Sequence, residues 1–243
     1  MLEWLLTSVD AERAHVVTSG ISFHGRIMTV AWGFIVPLAI LMARFAKILP
    51  WQKWPRQLDN QTWWHSHWVA QTVAVFLTFL GVGIVYFDSG NSGSYTLHRV
   101  LGYAIMVLGM LQLLSGLFRG TKGGPSDPAK DGSLDGDHYN MTKWRLHFEK
   151  VHKSVGYFTL TLTFLTIPSG MWAANAPNWM FVMLFIWWSV LIIAFVFLQR
   201  FGYAVETYQA VWGPDPKHPG NQKPPVGWSV RRPSDDLQMK AGE

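Results

Sequence analysis

Five apolar runs divide the chain: residues 24–45, 65–87, 98–118, 151–173 and 179–201. Polar and charged positions collect between them. A helix needs ~20 apolar residues to cross a ~30 Å hydrocarbon core, and each run is close to that length. The pattern predicts an all-α fold, a polytopic membrane helix bundle with five transmembrane helices. Pro37 falls inside the first run and Pro168 near the end of the fourth; membrane helices tolerate an internal proline, with a kink. Residues 1–22 read as an extramembrane segment with a short surface helix, 23–201 as the membrane domain, and 202–243 as a polar, Pro-rich tail lying on a surface or a partner.

Four of the runs open on a histidine: His24, His67, His98 and His152. The third begins His98-Arg-Val-Leu-Gly102-Tyr103, and the fourth repeats this 54 residues later as His152-Lys-Ser-Val-Gly156-Tyr157. An ionisable side chain just inside a membrane segment is costly without a partner, so each is a candidate functional residue. Successive spans cross in opposite directions. His24 and His98 therefore belong near one face, and His67 and His152 near the other. Facing helices of a bundle can supply two axial imidazoles to a haem iron, which leaves no open position for oxygen and favours electron transfer. Gly102 and Gly156 stand at i+4 from His98 and His152, on the same helix face, where a missing side chain leaves room for a flat macrocycle. Gly25 can serve similarly beside His24. Two b-type haems in a four-helix core are the expectation.

Composition sharpens this picture. The chain is 49% hydrophobic and 14% charged, too little charge for a soluble domain of its length. Its net charge of +5 and pI near 9.5 point to membrane topology, with nucleic acid no partner. The loops after the first and third spans carry the Lys and Arg, those after the second and fourth carry none, and the tail is basic. The positive-inside rule then predicts the N-terminus outside and the C-terminus in the cytoplasm. Fourteen Trp fit interfacial belts. The absence of cysteine removes disulfides, iron–sulfur ligation and thiolate zinc. Residues 1–20 lack the basic start and apolar core of a cleavable signal peptide.

Competing assignments stay in view. His65 competes with His67, and His147, outside the apolar run and without a glycine at i+4, competes more weakly with His152. His15, His138 and His218 lie in polar segments and read as surface residues. Residues 131–137 are faintly similar to a calcium loop but lack its closing Glu and flanking helices, and read as a solvated loop.

At these residues the sequence resembles the eukaryotic-type cytochrome b561 family, in particular the core that often follows a DOMON domain. The first run carries His24-Gly25, Ala31-Trp32-Gly33, Pro37 and the basic exit Ala43-Arg44-Phe45-Ala46-Lys47. The others carry His67 with Gln71, His98-Arg99 with Gly102, and Trp144 through His152 to Gly156-Tyr157. The resemblance covers about residues 22–200, with no stretch that reads as a DOMON domain. It implies His24, His67, His98 and His152 as axial ligands and settles both competitions in their favour. It implies that Arg44 and Lys47, with Lys53 and Arg56 beside them, meet an anionic donor.

The functional expectation is transmembrane electron transfer by a cytochrome or transmembrane oxidoreductase, with no catalytic side chain of its own. Electrons pass from an ascorbate-like or quinol donor on the cytoplasmic side to a ferric chelate, semidehydroascorbate or protein outside. The alternative is a haem-bearing anchor or accessory subunit of a larger respiratory or photosynthetic complex. Expected partners are the lipid bilayer (the inner membrane if the source is bacterial), a small reductant or quinol, a redox protein or larger membrane complex, and a second copy in a homodimer.

Overall fold

The computed structural model describes residues 2–14, 17–89, 96–119 and 143–234. The 131–137 stretch, His15, His138 and Lys240 lie outside the described residues. Seven helices occur among the described residues: α1 (Leu2–Leu6), α2 (Ser19–Phe45), α3 (Thr62–Ser89), α4 (Thr96–Leu117), α5 (Lys143–Ala173), α6 (Asn178–Arg200) and α7 (Thr207–Trp212). No strand occurs among those residues; two isolated bridges pair Ser8 with Pro177 and Val205 with Arg231.

Among the described residues four helices are long and apolar enough to cross a membrane: Ser19–Phe45, Thr62–Asp88, Thr96–Leu117 and Asn178–Arg200. Helix α5 is not among them, so five spans reduce to four by length and composition. Its N-terminal turns carry Lys143, Arg145, Glu149, Lys150 and Lys153, and its later turns Thr159, Thr161, Thr163 and Thr166. This also moves His152, expected at a helix start, to the tenth residue of α5. The charged N-terminal turns continue the apolar run as helix because Glu149 bridges Arg145 and Lys153, both at i±4 spacing.

The chain forms two compact units. The first unit combines Met1–Ala39, Val69–Leu113 and Val155–Ala194. Its core is built where α2 departs from regular geometry. Residues Thr29–Ile35 form a π-helical stretch just before Pro37. Proline has no N–H to offer the carbonyl four residues back, which is that of Gly33. The Trp187 indole N–H donates to that oxygen at 2.8 Å, so lipid meets no unpaired backbone group. Trp32, from the same stretch, is buried, donates to Thr78 Oγ1 at 2.9 Å and lies against Gly109, where a Cβ would come within 3.1 Å of the indole. The N-terminal segment is fastened to the α5–α6 turn. Asn175, at φ 50°, accepts from the Asp10 N–H and donates to the Asp10 carbonyl, both at 3.0 Å.

The second unit combines Ile40–Trp68, Leu114–Ser154 and Phe195–Glu243. Here the structure departs most from the reading of 202–243 as a surface tail. Ala204, Val205, Glu206, Tyr208, Gln209, Ala210, Val211 and Trp212 are buried. Tyr208, Val211 and Trp212 pack with Leu146 and Val226 in a small core of their own. The physical reason is that the segment has no long apolar run but concentrates its few large apolar side chains in one six-residue helix. Polar groups satisfy one another around that helix. Arg232 donates to both Glu206 carboxylate oxygens, at 2.6 and 3.3 Å, and the Val226 N–H donates to Glu206 Oε1 at 3.0 Å.

Candidate functional site

Each unit brings two of the predicted histidines together. In the first, the rings of His24 on α2 and His98 on α4 stand 6.1 Å apart between centroids, with their planes crossing at 90°. In the second, His67 on α3 and His152 on α5 stand 6.3 Å apart at 74°. Both pairings are those that parity predicts. His65 and His147 are exposed and join neither pair.

The spacing can be tested against a bis-imidazole iron. Imidazole–metal bonds are about 2 Å long, so two rings on opposite sides of one metal stand roughly 6 to 6.5 Å between centres. Both pairs fit. The hydrogen bonds of the first pair fit as well. His24 Nδ1 lies 2.9 Å from the Gly81 carbonyl and His98 Nδ1 lies 3.0 Å from that of Thr166. A carbonyl only accepts, so each Nδ1 carries the proton and each Nε2 keeps the lone pair that a metal takes. His152 Nδ1 meets the Ser115 hydroxyl at 3.1 Å, a partner that can donate or accept. Beside Gly102 and Gly156 a Cβ would meet nothing within 4 Å, which is the open flank that a flat ring needs. No group of three or more His, Cys, Asp or Glu capable of holding a bare metal ion occurs among the described residues.

Several supporting residues were not visible in sequence. Gly170 permits the His98 position, since a Cβ there would come within 2.6 Å of the imidazole Cε1. Gly81 brings α3 against Ile27 and Met28 of α2, where a Cβ would come within 2.8 Å of the Met28 methyl, and so delivers its carbonyl to His24. The carbonyl bonds of His24 and His98 join residues 57 and 68 positions apart, and no local signal announces them.

The four cations expected to meet a donor separate into two kinds. Lys53 and Arg56 are exposed. Arg44 and Lys47 are buried and engaged within the second unit. Arg44 donates to Gln199 Oε1 at 2.6 and 3.1 Å and to the Trp228 carbonyl at 3.1 Å, with its guanidinium 5.2 Å from the Trp228 ring centre. Lys47 Nζ donates to the Val205 carbonyl at 2.9 Å. Burial pushes the Lys47 amine down to about 7; Lys153 and Arg44 act in the same direction, while Glu149 and Glu206 oppose them. The same unit holds a cavity of ≈ 110 Å³ lined by Asn60, Trp64, His65, Arg119, Arg145 and Val211, among others. Arg119 and Arg145 are both buried, and the Arg119 guanidinium sits 3.7 Å from the centre of the Trp64 ring. Asp59 also lines the recess and Arg145 is paired with Glu149 at 3.3 Å; the two guanidinium groups and the indole still form a setting for a small, flat anion.

Comparison with known proteins fits this arrangement. The profile described as eukaryotic cytochrome b561 matches residues 15–124, a stretch that includes His24, His67 and His98. Over that stretch the chain is similar to the cytochrome b561 family. A cytochrome b561 and DOMON domain-containing protein of Arabidopsis thaliana is 27% identical over 150 residues, which are 61% of this chain and 27% of that protein. A second Arabidopsis protein so described is 28% identical over 149 residues, 60% of this chain and 30% of the relative. Ferric-chelate reductase 1 of Bos taurus is 33% identical over 98 residues, 40% of this chain and 16% of that protein. The matches thus span about a third or less of these relatives' length. No solved structure matches the chain significantly. The chain thus combines a likeness to cytochrome b561 over residues 15–124 with helices apolar enough to cross a membrane.

Proposed function

We propose that this chain is a cytochrome that carries electrons across a membrane through two b-type haems, one between His24 and His98 and one between His67 and His152. The observation that carries the reading is the pair of ring separations, 6.1 and 6.3 Å, reached independently in two units by histidines on alternate helices. Each haem supplies a one-electron site at its iron; the chain's own residues set tautomer, burial and approach. His24 and His98 donate from Nδ1 to carbonyls and would hold the iron through Nε2. Gly102 and Gly156 leave the flanks open.

In this reading α5 is the fifth span. Its threonines cost little in lipid because Thr159, Thr161, Thr163 and Thr166 each donate to the carbonyl four residues back, at 2.8 to 3.0 Å. The N-terminus then lies outside and the C-terminus in the cytoplasm. The donor is a small anionic reductant of the ascorbate type, held in the cavity of the second unit by Arg119 and Arg145 and drawn in by exposed Lys53 and Arg56. Outside, the acceptor is a ferric chelate, in keeping with the named activity of the Bos taurus relative.

Haem quantitation with a dithionite-reduced minus oxidised spectrum tests the core of this. The expected result is two low-spin b haems per chain, unreactive to carbon monoxide. One haem per chain would leave one histidine pair without a role, and a folded protein without haem would end the reading.

A further inference from the structure

The C-terminal segment holds more buried polar contacts than a connecting tail needs, and they converge on the basic exit of α2. Lys47 Nζ is tied to the Val205 carbonyl and Arg44 to the Trp228 carbonyl, at 2.9 and 3.1 Å. Between those two points the segment makes a closed turn. Arg231 and Val205 bridge, with the Arg231 N–H donating to the Ala204 carbonyl and the Glu206 N–H to the Arg231 carbonyl. Glu206 and Arg232 lock the turn by two contacts between nearly buried groups. What the turn holds in place is α7, and α7 places Val211 in the wall of the cavity that contains Arg119 and Arg145. Gly213, at φ 86° at the end of α7, lies against the Leu58 side chain, so α7 is also seated on the loop that supplies Asn60 and leads into α3, which carries Trp64.

Resting on the donor pocket proposed above, we infer that residues 203–234 are a fixed wall of that pocket: Val211 sets its size, and Arg44 and Lys47 are positioning residues that fasten the wall. A donor in the cavity would meet Arg119, Arg145, Trp64 and Val211. It would not meet the Lys47 amine, which is buried under the Val205 carbonyl. The chemical consequence is selectivity by size. A compact anion fits a recess of ≈ 110 Å³ closed on one side by a rigid aliphatic side chain, and a quinol with a long tail does not.

The test uses the full-length holoprotein in nanodiscs. Reduction of haem by ascorbate is followed by stopped flow over a range of concentration, with dithionite as the donor that needs no pocket. Val211→Trp fills the cavity and is expected to raise the half-saturating ascorbate concentration more than tenfold, with the dithionite-reduced spectrum unchanged. Arg145→Gln should raise it similarly. Lys47→Met keeps the length of the side chain and removes its hydrogen bond; it is expected to speed tryptic cleavage after Lys217 severalfold at equal haem content. If Arg145→Gln changes ascorbate kinetics and Val211→Trp does not, the wall is wrong and the pocket stands. Unchanged kinetics in Arg145→Gln would overturn the donor pocket, and the wall with it. Cleavage in Lys47→Met as slow as in the wild type would overturn the anchoring role.

Discussion

The two histidine pairs solve one geometric problem with different materials. In the first unit both Nδ1 atoms end on backbone carbonyls, of Gly81 and Thr166, and the approach is permitted by glycines at 81 and 170. In the second unit His152 meets a serine hydroxyl and shares its helix face with Glu149 at i−3 and Arg145 at i−7, and Lys153 follows it. A carbonyl partner admits one tautomer and cannot be mutated away. A hydroxyl and three charges are side chains, open to adjustment one at a time. In the proposed two-haem reading the first site is therefore fixed and the second tuned, since hydrogen bonds and local charge around axial ligands set haem potential.

The comparison can be broken most directly by removing ligands. His98→Ala or His24→Ala is expected to abolish the haem of the first unit and leave the other, so spectra should show one haem in place of two. His67→Ala or His152→Ala should do the reverse. Equal loss of both haems in a stably folded single variant would mean that the pairs are not independent sites.

Next in size is Gly170→Val. A side chain there meets the His98 ring at 2.6 Å or closer and must displace it. The haem of the first unit should be lost on dilution at least tenfold faster than in the wild type, with the second retained. Ser115→Ala is the matched change in the second unit. Because a water can replace a hydroxyl, it should leave haem content unchanged and shift only the potential.

A potentiometric titration of Arg145→Gln sharpens the contrast. Removing a buried cation from the helix face of His152 should lower the midpoint potential of the His67–His152 haem, because reduction adds negative charge to the site. The His24–His98 haem should not move. Equal shifts in both would remove the distinction between a fixed and a tuned site.

A smaller effect is expected from pH. Lys47 is held near 7 in the attached segment, against about 10.5 for an ordinary lysine. Between these values the detached segment binds more protons, so attachment should strengthen as pH rises from 7 toward 10 and change little below 7. Slower tryptic cleavage after Lys217 at the higher pH, corrected for the protease's own pH dependence, would show it. Lys47→Met should flatten the profile. The smallest effect belongs to Trp187→Phe, which deprives the Gly33 carbonyl of its indole donor; one interhelical hydrogen bond in a membrane is worth about 1 kcal/mol.

Much of this architecture is legible in the chain itself. Long apolar runs fix the helices, because nothing else satisfies a backbone in lipid. The alternation of direction between successive spans fixes the pairing of His24 with His98 and of His67 with His152 before any coordinate is known. Local periodicity carries both, and it also places Gly102 and Gly156 beside their histidines. It fails at α5, where the charged turns before His152 are as helical as the apolar ones, and intrahelical pairs through Glu149 keep them so.

Contacts between distant residues were decided only by the tertiary structure. Gly81 and Thr166 reach the histidines through their carbonyls, which every residue has, so no side chain advertises them. The exit cations of α2 carry a visible charge, yet the charge alone does not say whether Arg44 and Lys47 face a donor or their own chain. That depends on where a segment more than 150 residues later folds, and Val205 and Trp228 return to cover them. The apolar pattern determines which residues form the helices; hydrogen bonds across long sequence separations determine which of the polar ones stay free to bind.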